Sequence, residues 1–146
     1  MGKISPCVPP RIFTETRGIA KVIHLDTSFL IQAFQAGSPQ DRRLRKWLRD
    51  GESLAMSSVS WTELLCGPIA ADQVRLARRV IAEIVPYLED DATLAAELFN
   101  DSGRRRGSMA DCMIAATAIR DGAAVATANP ADFRRFEAAG VHVIVG

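Results

Sequence analysis

The sequence predicts a single α/β domain built on a central, largely parallel β-sheet flanked by α-helices. Short apolar runs rich in β-branched residues recur along the chain, and amphipathic stretches at helical spacing lie between them. No internal repeat or linker divides the chain. With 146 residues, 48% hydrophobic and 24% charged, it is long enough for one core and too apolar for disorder.

Residues 1–20 carry the adjacent Pro9 and Pro10 and no periodic apolar pattern, so they are expected to be a flexible extension. Structure is expected from 21 to 146. Val22-Ile23-His24-Leu25 reads as a strand with Asp26 at its C-terminal end. Thr27 and Ser28 are good N-cap types for a helix over 29–36, which Gly37-Ser38-Pro39 breaks. Leu44, Trp47 and Leu48 then mark an amphipathic helix over 40–49.

Residues 53–57 read as a second strand, and Ser60 as the cap of a short helix carrying Glu63, stopped by Gly67-Pro68. Val74, Ala77, Ile81 and Ile84 form another helical stripe. Residues 84–88 hold a short strand that Pro86 restricts to an edge. Helices over 91–99 and 108–120, a buried strand over 123–127, a helix over 130–139 and a strand over 141–145 complete the pattern.

Several classes are excluded or disfavoured. Cys7, Cys66 and Cys112 are odd in number and form no C-x-x-C pair, which argues against a disulfide framework or a cysteine zinc site. His24 and His142 are too few and too far apart for a histidine-rich site. No apolar stretch approaches the roughly 20 residues of a membrane span, and residues 1–20 lack the apolar core of a signal peptide. The expected location is therefore cytoplasmic. The net charge of +1 gives no global attraction to nucleic acid. All basic residues except Lys3, Lys21 and Lys46 are arginines, which suits phosphate contacts but equally reflects a GC-rich genome.

In a parallel sheet, ligands collect at the C-terminal strand ends. Asp26 lies there, Glu63 follows the second strand, Asp111 opens the small and apolar helix, and Asn129 and Asp132 follow the strand ending at Thr127. Each has an ordinary explanation taken singly. Asp26 and Asp111 are N-cap types, Glu63 suits a helix surface, and Asn129 and Asp132 suit a turn around Pro130. Thr127 either adds a hydroxyl to this edge or is a buried strand-end threonine. Taken together, the acids point to a shared site, because grouped carboxylates repel unless a cation neutralises them. Oxygen ligands without His or Cys suit Mg²⁺ or Mn²⁺.

Four segments resemble, in order, the motifs of PIN-domain ribonucleases: Leu25-Asp26-Thr27-Ser28-Phe29-Leu30-Ile31, the run from Ser58 to Gly67, Asp111 to Ala118, and Thr127 to Phe133. The resemblance spans 21–146, and the VapC-like toxins of type II toxin–antitoxin pairs are the subgroup most similar. It implies a Mg²⁺-dependent endoribonuclease, with Mn²⁺ as a substitute, that hydrolyses RNA phosphodiester bonds. Asp26, Glu63 and Asp111 correspond to the family's metal-binding acids. Asn129 stands at the fourth position of the set, with Asp132 three residues on as substitute or helper. That leaves a second metal in doubt, since an amide contributes less than a carboxylate.

The resemblance also implies an RNA substrate, a homodimer, and a hetero-oligomer with a small VapB-like antitoxin. The antitoxin's C-terminal segment would wrap the domain near the acids, with Phe34, Trp47 and Trp61 as groove candidates. Candidate RNA contacts are Arg42, Arg43, Arg45, Lys46 and Arg49, then Arg134 and Arg135, and above all Arg104, Arg105 and Arg106; each cluster is equally readable as a solvated face. Two other classes compete. One is a receiver-type module phosphorylated on Asp26, which lacks the acidic cluster and switch lysine such a module needs. The other is a catalytically inactive PIN fold that binds RNA or protein.

Overall fold

The computed structural model describes residues 22–145, so the proposed N-terminal extension lies outside the described residues. Five parallel strands form one sheet in the order β3-β2-β1-β4-β5. They are β1 (Val22–Leu25), β2 (Ser53–Ser57), β3 (Glu83–Val85), β4 (Ala124–Thr127) and β5 (His142–Val145). Seven described helices connect them: α1 (Thr27–Ala33), α2 (Pro39–Arg49), α3 (Ser58–Cys66), α4 (Ala71–Val80), α5 (Glu89–Asp101), α6 (Met109–Arg120) and α7 (Ala131–Arg134). The predicted fold class is therefore observed, and β3 is an edge strand as Pro86 suggested.

The strand order follows from burial. Val22, Ile23, His24 and Leu25 are all buried, as are all residues of β4, as expected for central parallel strands covered on both faces. β5 is partly exposed at the other edge. One core cluster packs Phe29, Leu30, Leu54, Met56 and Leu64 on one side, and a second packs Leu98, Ile114, Val125, Phe133 and Phe136 on the other. Helix α6 buries Cys112, Ile114, Ala115, Ala116, Thr117 and Ala118, so its small residues let it approach the sheet closely.

Three polar contacts hold the C-terminal end of α6. Arg120 pairs with the buried Asp91 of α5 (Nε to Oδ1, 2.6 Å), and the Thr117 hydroxyl donates to the same carboxylate at 3.2 Å. Immediately after Arg120, the C-cap residue Asp121 meets His24 of β1 at 2.7 Å. These ties fix the C-terminal end of α6 against α5 and β1, while Asp111 lies in the first turn at its other end.

Local details differ from the sequence reading for identifiable reasons. Asp26, not Thr27 or Ser28, is the N-cap residue of α1, and its side chain makes no capping bond because it is engaged elsewhere. Ser57, not Ser60, caps α3, accepting from the Ser60 amide at 3.0 Å. The stripe through Ile84 is not one helix: the Ala82 amide donates to Leu54 at 2.8 Å, so sheet pairing takes the chain out of α4 into β3. The helix expected over 130–139 is a short α7 followed by a 3₁₀ turn at Glu137–Ala139. Phe133 and Phe136 are both buried at i, i+3, and the tighter turn places both rings inward.

Candidate active site

Because every strand runs the same way, the C-terminal ends of β1 and β4 share one edge, and the ladder continues there through Asp26 N–H to Ala126 O at 2.9 Å. Asp26 is only 7% exposed. Its Oδ2 accepts from the Ser28 hydroxyl at 2.7 Å and the Thr127 hydroxyl at 3.0 Å. The two hydroxyls are 3.2 Å apart; Ser28 Oγ accepts from the Ala128 amide, and Thr127 Oγ1 from the Asn129 amide. A short polar network thus sews the start of α1 to the end of β4 around one carboxylate oxygen.

The other acids arrive on separate elements. The Thr27 hydroxyl donates to Ser60 O at 2.9 Å, tying α1 to α3 and bringing Glu63 to the same edge. Asp111 lies in the first turn of α6, and Asp132 in the first turn of α7. Asn129 is exposed just after β4.

Electrostatics show that the four acids form one group. Burial raises the Asp26 pKa against its hydroxyl donors, and Asp132 adds to the rise. Glu63 is the most open of the four, yet desolvation of its carboxyl and the charge of Asp26 raise it as well. Asp111 is pushed up to about 7, first by desolvation, then by Asp132 and Asp26, with a smaller contribution from Glu63. A helix N-terminus favours a carboxylate, so at Asp111 burial and like charge outweigh the dipole.

Among the described residues, no three His, Cys, Asp or Glu side chains form a ready-made metal cage. The acids act on one another's charge without standing at ligand spacing. Mg²⁺ does not need such a cage, since it keeps several waters and uses one or two carboxylates beside substrate phosphates. The donor set therefore fits a hydrated hard cation rather than a closed structural metal.

Three features were missed or misjudged from sequence. Ser28 reads as a capping residue but serves Asp26 itself; the Asp-x-Ser spacing, which returns the hydroxyl to the carboxylate across the first turn, was the available signal. Arg135 reads as one of a surface pair, yet its side chain is 15% exposed and Nη2 stands 3.7 Å from Asp111 Oδ2. Of the groove candidates, Phe34 lines two adjacent apolar hollows, one with Ile31, Leu64 and Ile69, the other with Leu44, Leu76 and Val80. Trp47 instead stacks on Phe29, and Trp61 lies beneath Arg78.

The basic candidates separate too. Arg104 adopts a left-handed backbone (φ 55°), donates to Asn100 Oδ1 at 2.8 Å and lies over Phe99, whereas Arg105 and Arg106 are exposed on the loop before α6. Arg42 and Arg43 donate to the carbonyls of Gly37 and Val145.

Among the described residues, no helix is long and apolar enough to cross a membrane. No curated protein sequence matches the chain. Its fold is similar to that of several solved toxin–antitoxin proteins. With VapBC2 from Rickettsia felis bound to a DNA fragment from its promoter, the TM-score is 0.68 at 18% identity, covering 86% of this chain and 98% of the other. With a toxin–antitoxin complex from Klebsiella pneumoniae the values are 0.64 and 23%, over 86% and 97%. With VapBC-5 from Mycobacterium tuberculosis they are 0.53 and 27%, over 88% and 99%. The PIN domain family model matches residues 23–139, from the second residue of β1 past α7 and through all four acids, and the chain belongs to that family.

Proposed function

We propose that the protein is a divalent-cation-dependent endoribonuclease acting as the toxin of a toxin–antitoxin pair. The observation that carries this is the convergence of Asp26, Glu63, Asp111 and Asp132, from four separate elements, with Asp111 raised to about 7 by its neighbours and its burial. Such a group is costly to ionise in isolation and becomes useful when a cation and a phosphodiester share it.

In this reading Asp26, Glu63 and Asp111 hold Mg²⁺, or Mn²⁺ in its place. When bound, the ion lowers the pKa of an attacking water and offsets charge on the phosphate. Ser28 and Thr127 orient Asp26 by holding its Oδ2. Asp132 and Asn129 border the same edge and complete the acidic rim. Membership of the PIN family and the fold shared with VapBC proteins support the reading, as does the 27% identity to VapBC-5.

A small VapB-like antitoxin is the proposed partner. The two hollows that share Phe34 run between α1, α2, α3 and α4, beside the elements that carry Asp26 and Glu63, and suit an amphipathic segment. A homodimer, and a hetero-oligomer with the antitoxin, belong to the same proposal.

The test is cleavage of total cellular RNA by antitoxin-free protein, with Mg²⁺ or Mn²⁺ against excess EDTA, beside Asp111→Ala. Discrete fragments that require the cation and vanish in the variant are expected. RNA binding without any cation-dependent cleavage would instead favour a catalytically inactive binding module.

A further inference from the structure

Among the described residues, Arg135 brings a positive charge to the acidic edge. Arg135 closes α7, one helical turn after Asp132, so both side chains leave the same face of that turn. Phe133 and Phe136 anchor the turn from below, fully buried and edge to face at 6.3 Å. The Arg135 guanidinium lies over the Phe136 ring at 4.6 Å, with Nη2 3.7 Å from Asp111 Oδ2. Its Nε and Nη2 are buried and make no hydrogen bond. Those two nitrogens form one edge of the guanidinium fork, which matches an oxyanion two bonds at a time.

Leaving two buried donors unmet is costly, about 1–3 kcal/mol for each group in general. A buried donor left without a partner calls for an explanation, a functional role or a bound ion among them. The charge stands where acids gather: Nη2 lies 3.7 Å from Asp111 Oδ2, and Asp132 sits one turn before Arg135 on α7. The positive charge is also placed unevenly. It stands 3.7 Å from Asp111 and three residues from Asp132, whereas the Asp26 carboxylate is met by the Ser28 and Thr127 hydroxyls and Glu63 is exposed to solvent.

We propose that Arg135 is a resident counter-cation that takes the place of a second divalent ion on the Asp111–Asp132 side, so that the site binds a single metal ion per protomer. This rests on the nuclease reading above and deepens it. One divalent ion then serves Asp26, Glu63 and Asp111, while the guanidinium neutralises the side that Asn129, a neutral amide, and Asp132 border. Arg135 acts through Asp111 and is a positioning residue.

The experiment counts bound Mn²⁺ by electron paramagnetic resonance on the intact protein, for wild type, Arg135→Lys, Arg135→Gln and the double variant Asp26→Asn/Asp111→Asn. Circular dichroism confirms that each is folded. The expected result is one ion per protomer for wild type and for Arg135→Lys, which keeps the charge, and a second ion or a clear gain in the high-concentration phase for Arg135→Gln. Two ions in wild type, or identical stoichiometry and affinity in Arg135→Gln, would overturn the counter-cation role while leaving the nuclease reading intact. An absence of binding in wild type, or binding that the double variant leaves unchanged, would overturn the metal site itself and this inference with it. If Arg135→Gln is unfolded, Arg135→Lys decides through its affinity. A pure charge role keeps a single ion within a few-fold of wild type, whereas loss of that ion overturns it.

Discussion

The Thr127 hydroxyl donates to Asp26 Oδ2 at 3.0 Å across 101 residues of sequence, joining the end of β4 to the end of β1 at the one carboxylate oxygen that Ser28 also contacts. Thr127→Val keeps the shape and removes the donor. Asp26 then loses one of the bonds that favour its ionised form, and its already raised pKa rises further. The acid limb of the cleavage profile should shift to higher pH, with a larger activity loss at pH 6 than at pH 8 and a stability loss of about 1 kcal/mol. Superimposable pH profiles for variant and wild type would show that the bond does not govern Asp26.

Asp111 makes the stability of the metal-free protein depend on pH. Its pKa is raised from 3.8 to about 7 on folding, so between those values the folded state keeps a proton that the unfolded chain has released. The contribution of Asp111 to stability is therefore greatest below about pH 4, falls as pH rises toward 7, and levels off above it. Asp26 and Glu63 are shifted in the same direction and add to the slope. Asp111→Asn should match wild type near pH 4 and exceed it at pH 8 by about 1–3 kcal/mol, a gain of several degrees in Tm. Saturating Mg²⁺ should shrink that advantage, because the ion binds the ionised acids of wild type. Parallel melting curves across pH would mean that Asp111 ionises normally.

The arginines before α6 separate into anchored and exposed members. Arg104 is held by Asn100 and Phe99, so Arg105→Glu and Arg106→Glu are the informative changes. Their double variant should weaken RNA binding at low salt and reduce the slope of log affinity against log salt by about one to two. Thermal stability should hold, since both side chains are exposed. Binding isotherms identical to wild type at every salt concentration would assign the loop to solvent.

Much of the fold was legible because each central strand is buried on both faces and announces itself as a short apolar run; 53–57 matches β2 residue for residue. The acids at strand and helix ends were visible for the same reason, since a carboxylate after four buried residues has few ordinary uses. Contacts between distant segments were not visible. Nothing local in Arg134-Arg135 says that the second arginine turns inward while the first stays exposed, because that depends on Phe133 and Phe136 both seeking the core. Likewise Ser28 looks like a cap until the strand order places Thr127 beside it. The switch from α4 to β3 at Ile81 was hidden because Leu54, its pairing partner through Ala82, is far away in sequence.

The strand order also sets a schedule. β1 lies between β2, the next strand in sequence, and β4, which follows only after α3 to α6 and β3. At a synthesis rate of about 5–20 residues per second, Asp26 and Glu63 leave the ribosome seconds before Asp111, Thr127, Asp132 and Arg135 exist. Until β4 slots in, Asp26 has no Thr127 donor and β1 has no neighbour on one side. A nascent chain therefore carries Asp26 and Glu63 alone at first, and the four acids come together as one group only after α6, β4 and α7 have been made.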